Sequence, residues 1–128
     1  MSIESFFHKL GAPLKNPRWS WGAIGRDGDV YLRVWQHETQ RLLGKLYSCI
    51  YLHGIHDDSN LGNNERWKQI QMIESGSKCF LIMCLAKDTK APRLEIGSFN
   101  RREIFLGGNL LRSNGDVWIE ILGRRQVN

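Results

Sequence analysis

Two stretches of alternating apolar and polar residues, each interrupted by a dipeptide suited to tight reversal, limit what this chain can become more than any other feature. The first reversal is Asp27-Gly28, within Arg26-Asp27-Gly28-Asp29, and the second is Asn114-Gly115. Both dipeptides accept the positive φ that a short hairpin turn demands. Around the first, residues 18–24 and 30–36 read as paired strands. In the second of these, Val30, Leu32 and Val34 alternate with Tyr31, Arg33 and Trp35, so the two sets face opposite sides. Around Asn114-Gly115, residues 109–113 and 117–122 form a closing hairpin.

The remaining segments fill in an α+β chain. Residues 2–10 read as a short helix: Ser2 can cap it, Glu4 sits in its first turn, and Gly11 and Pro13 end it. Residues 63–76 are the clearest helix, with Trp67, Ile70 and Ile73 at spacing three and Gly76 as the stop. The run from 42 to 52 is rich in aromatic and β-branched residues and reads as one strand. Residues 78–86 read as a buried strand, and 93–99 and 103–106 as shorter ones before a break at Gly107-Gly108. Six or seven strands with two helices and no βαβ rhythm predict a single domain over residues 1–128. Its architecture is expected to be a curved, antiparallel or mixed β-barrel with helices at its ends.

The charge is moderately basic: the formal net charge is +5 and the isoelectric point about 9.4. That balance fits contact with phosphate without demanding it. The three cysteines, Cys49, Cys79 and Cys84, form no Cys-x-x-Cys pair, and the last two lie in an apolar run. They read as reduced core residues rather than a disulfide or zinc framework. No signal peptide is evident, and the longest apolar run, 79–86, is far short of a membrane span. The expectation is a reduced, cytoplasmic chain with no membrane contact.

Function is suggested by the aromatic residues. Five tryptophans occur in 128 residues, and Trp19, Trp21 and Trp35 cluster around the first reversal with Arg18 and Arg33 beside them. An extended 18–24 segment would put Trp19 and Trp21 on one face, and the hairpin would bring Trp35 near them. Aromatic rings next to arginines are suited to stacking a nucleobase. Tryptophans also fill small cores, and that reading competes on equal terms.

Other constellations are weaker. His53, His56 and Asp57 form a dense polar cluster that has the donor types for a metal, although a solvated loop explains it as well. Arg101 and Arg102 offer phosphate contacts, and at most one of them would face a given ligand. Gly107-Gly108 reads as a bend or bulge rather than a phosphate cradle. No catalytic site assembles, so no catalytic residue, metal or cofactor is assigned.

Taken together, several segments resemble a known family: Asn16-Pro17-Arg18-Trp19-Ser20-Trp21-Gly22-Ala23, then Leu32-Arg33-Val34-Trp35-Gln36, Glu65-Arg66-Trp67, Phe105-Leu106-Gly107-Gly108 and Gly115-Asp116-Val117-Trp118. The chain resembles PUA-superfamily modules of the EVE or ASCH kind, especially those that precede His-Asn-His endonuclease domains. That resemblance implies a PUA-like barrel holding an extruded, often modified, base in an aromatic pocket. It implies Trp19, Trp21 and Trp35 as pocket walls, with Asn16 and Ser20 as polar readers. Arg18, Arg33, Arg101 and Arg102 would meet phosphates. The implied partner is nucleic acid, DNA or RNA, with a nuclease or other effector acting alongside. A His-Asn-His pattern is not found in these residues, so cleavage is not implied. Two other readings stay open: a protein–protein accessory module, and a small metal-dependent hydrolase or nuclease built on His53, His56 and Asp57.

Overall fold

A computed structural model describes residues 1–52 and 61–127. Helix α1 (Ile3–Lys9) begins as the sequence predicts, with the Ser2 hydroxyl accepting from the Ser5 amide and Glu4 in the first turn. Its Phe6 and Phe7 are fully buried. Among the described residues eight strands follow: β1 (Gly22–Ile24), β2 (Val30–Trp35), β3 (Thr39–Leu42), β4 (Lys45–Tyr51), β5 (Cys79–Ala86), β6 (Ile96–Phe99), β7 (Glu103–Ser113) and β8 (Asp116–Gln126). Helix α2 (Leu61–Glu74) lies between β4 and β5, and no described helix is long and apolar enough to cross a membrane.

The strands form one mixed sheet in the order β1-β2-β5-β7-β8-β4-β3, with β6 also pairing β5. Only β2 and β5 run parallel. The fold is thus α+β with two helices, as expected. Among the described residues the sheet is not closed by strand pairing, however, so the ladder leaves β1 and β3 at its two ends rather than completing a barrel.

The alternation in β2 sets up two cores, one on each face. Tyr31 joins Phe6, Phe7, Phe80 and Ile82 under α1. Val30, Leu32 and Val34 join Leu81, Ile119 and the α2 residue Ile70 on the other side. Both faces of the central strands are therefore covered, which explains the continuous apolar run of β5.

Three local expectations change. Residues 18–21 are not strand. Asn16 folds the chain into a turn, its carbonyl accepting from the amides of Trp19 and Ser20 and its side chain from the amide of Arg18. This side-chain alternative to a ladder shortens β1 to three residues. The run from 42 to 52 is split by a reversal at Leu43-Gly44, both with positive φ, at 55° and 79°. Gly107-Gly108 does not end a strand: β7 continues through it, with the register slipping between Leu106 and Leu110. The bulge reading holds there, because the register against β8 shifts on both sides of Gly107; glycine is needed at that point, since a side chain would meet Ile119 at 2.7 Å. The Asn114-Gly115 reversal is present as predicted, with φ of 53° and 85°.

Candidate functional site

The sheet curls until β2 and β4, far apart in strand order, come within reach of one side chain. Arg66 of α2, only 4% exposed, donates from Nη1 to the Ile50 carbonyl at 2.8 Å and from Nη2 to the Arg33 carbonyl at 2.8 Å. Nη2 also reaches the Trp21 carbonyl at 3.1 Å. One guanidinium thus ties β4 to β2 and the entry to β1, bridging the gap between β2 and β4 where no ladder exists. Burial lowers its pKa to about 10, so it remains charged at neutral pH.

A cavity of about 1020 Å³ opens along this seam. Trp19, Trp21 and Trp35 all line it, together with Arg18 and Arg33. The sequence argument for bringing the three rings together rested on an extended 18–24 segment. The turn at Asn16 brings them to one cavity by a different route. The indole of Trp21 lies against α2, where a methyl group at Gly62 would sit 2.6 Å from its ring. The Arg66 guanidinium lies 5.9 Å from the centre of that ring. Trp35 leans on the core beneath α1 and lies near His37. All three indoles are partly buried.

The expected polar readers lie elsewhere. Asn16 and Ser20 are absent from the cavity lining. Ser20 is buried and donates to Glu65 at 3.1 Å while accepting from the Asn16 amide. Both residues shape the turn that presents Trp19 and Trp21. Arg101 and Arg102 are also absent from the lining. Arg101 stacks 4.2 Å above Phe99 and donates to the Met1 carbonyl, and Arg102 is exposed in the turn after β6. The His53, His56 and Asp57 cluster lies outside the described residues. Among the described residues, no group of three metal-binding side chains occurs.

Comparison with family models, with curated proteins and with solved structures finds no match.

The cavity carries polar groups that the sequence did not single out. Glu38, in the short 3-10 turn Gln36–Glu38 that follows β2, contributes a carboxyl whose pKa is raised by burial. Arg33 has its pKa lowered by burial, and its Nε is buried with no hydrogen-bond partner. Cys49 lines the wall as a neutral thiol, its pKa pushed up to about 12 by burial. Glu95 belongs to the rim and pairs with Lys87 at 3.5 Å. The signal for Glu38 was its place three residues beyond Trp35, but the sequence alone gives no reason for the chain to coil there. A second hollow of about 510 Å³ lies between α2 and β7, beside the Arg112–Glu74 ion pair, and no tryptophan lines it.

Proposed function

We propose that this chain binds nucleic acid and receives an unstacked base in the tryptophan-lined cavity, without catalysis of its own. The observation that carries this reading is the convergence of Trp19, Trp21 and Trp35 on one cavity with Arg18 and Arg33. Indole faces accept any base by stacking, and arginines beside them supply phosphate or base contacts. The volume lies at the upper end of ordinary ligand pockets, which run to about 1,000 Å³, and leaves room for a nucleotide with part of its backbone. The net charge of +5 supplies the long-range attraction.

On this reading the fold is a PUA-like barrel whose last seam is held by Arg66 in place of a ladder. A modified base is the favoured occupant, since a cavity this large tolerates added groups. The phosphate contacts belong to Arg18 and Arg33 at the cavity, with Arg101 and Arg102 as outlying contributors. Titration of labelled single- and double-stranded oligonucleotides at two salt concentrations tests the reading. The expected result is binding that weakens steeply with salt, because phosphate contacts release counterions. No binding at low salt, or binding indifferent to salt, overturns it.

A further inference from the structure

The cavity holds two partly buried polar groups of opposite kind that do not satisfy one another. Arg33 lines it with a buried Nε that has no hydrogen-bond partner. Glu38 lines it with a half-buried carboxyl that makes no ion pair with a described residue. The charge that acts on Arg33 is that of Glu65. Those that act on Glu38 are His37, Arg66 and Asp116. Neither group figures in the other's electrostatic surroundings. The remaining charges on the walls are accounted for: Arg66 serves three carbonyls, and Glu95 faces Lys87. Arg18 and Arg93 stand exposed at the rim.

A guanidinium only donates, and an ionised carboxylate only accepts. Holding the Arg33 Nε out of water without an acceptor is unfavourable, as is partial burial of the Glu38 carboxylate, and a ligand that offers an acceptor to one and a donor to the other removes that cost. A base stacked on the tryptophans presents its polar edge to the walls. Cytosine and adenine carry an exocyclic amine that donates to a carboxylate, whereas uracil and thymine put a carbonyl oxygen at the equivalent position.

We propose that Glu38 and Arg33 read the edge of the stacked base, Glu38 accepting from an exocyclic amine and Arg33 donating to an acceptor, so that the cavity selects amine-bearing bases over uracil and thymine. This inference rests on the base-pocket reading above and adds a direction of selectivity to it.

The test uses the full chain and short single strands carrying one cytosine or one uracil in an otherwise abasic backbone, with a wholly abasic strand as reference. Quenching of tryptophan fluorescence reports binding. Cytosine is expected to bind about ten-fold more tightly than uracil, the discrimination of one well-placed polar pair. Glu38→Gln, whose amide both donates and accepts, is expected to bring that ratio close to one. Equal binding of cytosine and uracil, both tighter than the abasic strand, overturns the selectivity and leaves the base pocket standing. Retained discrimination in a folded Glu38→Gln overturns the role of Glu38. Failure of either base to exceed the abasic strand overturns the pocket and the selectivity with it. If Glu38→Gln does not fold, the ratio measured on the unaltered chain decides alone.

Discussion

Arg66 and Ile50 are joined across the unpaired seam of the sheet by a 2.8 Å hydrogen bond from guanidinium to carbonyl. The same side chain holds the carbonyls of Arg33 and Trp21, so three elements depend on one cation. Arg66→Met would take this donor from the Ile50 and Arg33 carbonyls, each loss costing about 1–3 kcal/mol if the oxygen stays buried, whereas the Trp21 carbonyl keeps the Arg33 amide at 2.8 Å. The expected loss is about 2 kcal/mol or more, read as a fall in the urea midpoint. Arg66→Lys is expected to fare little better, because a single ammonium cannot span three acceptors set by a planar fork. A midpoint unchanged in Arg66→Met would show that the seam holds without it.

Gly62 tests how firmly Trp21 is seated. A methyl group there would lie 2.6 Å from both the Trp19 carbonyl and the Trp21 ring. Gly62→Ala is expected to destabilise the chain by about 1–3 kcal/mol, the range for overpacking, and to shift the tryptophan emission. Gly62 is helical, so alanine would otherwise favour α2. A net gain in stability would therefore mean that both the indole and the backbone at Trp19 can move aside.

Leu43 offers the opposite sign. It sits at φ 55° and is 86% exposed, so it bears a left-handed backbone without burial in return. Leu43→Asn would create an Asn-Gly reversal of the kind already present at Asn114-Gly115. A gain of about 1 kcal/mol is expected, since the left-handed region costs an ordinary residue about 1–2 kcal/mol. Thermal melts of the two proteins check it, and a lower melting temperature would count against the turn geometry.

The buried thiols make stability fall in alkali. Burial pushes Cys49 and Cys79 up to about 12 and Cys84 up to about 11, from an ordinary value of 9.0. Above about pH 9 the unfolded chain loses these protons while the folded chain keeps them, so the unfolded state binds fewer protons and stability declines as pH rises. Each thiol contributes up to about 1.4 kcal/mol per pH unit in that window. Tyr31, raised by burial, acts in the same direction near its own ordinary value of 10.0. Urea midpoints at about pH 8 and about pH 10 should differ accordingly, and Cys79→Ala should reduce the difference. A flat profile would mean that the thiols are accessible in the folded chain.

The parts of this fold legible in the sequence are those governed by local rules. The Ser2 cap, the Asn114-Gly115 reversal, the alternation in β2 and the helical spacing of Trp67, Ile70 and Ile73 all act over a few residues. The turn at Leu43-Gly44 was hidden because leucine is rarely left-handed, and its apolar side chain extended the run into which it was read. The strand at 18–21 was misread because Asn16 supplies a side-chain acceptor that competes with the ladder. In the cavity, clustering in sequence found the tryptophans but not Glu38, which enters through a 3-10 turn. Arg66 was also missed, since its partners are backbone carbonyls 16, 33 and 45 residues away and carry no sequence signature.

Trp19 is the ring best placed to separate recognition from packing. Trp21 is wedged against Gly62 and beside Arg66, and Trp35 leans on the core under α1, whereas Trp19 belongs to neither core cluster while still lining the cavity. Cutting a core tryptophan to alanine costs about 3–5 kcal/mol of stability, while removing a stacking platform costs about 1–3 kcal/mol of binding. Trp19→Ala is therefore expected to melt close to the unaltered chain and to bind single-stranded oligonucleotide about ten-fold more weakly. Trp21→Ala should lose stability first. Arg33→Met completes the comparison: it removes a partly buried cation with an unpartnered Nε yet leaves the carbonyl that Arg66 uses. Its fold should be at least as stable, because an Nε–H held out of water without an acceptor opposes folding, and its binding should be weaker. A chain that gains stability and loses ligand on the same substitution is holding that charge for the ligand. If Trp19→Ala and Arg33→Met both bind as before, the cavity is not the recognition site, and the basic surface outside it becomes the place to look.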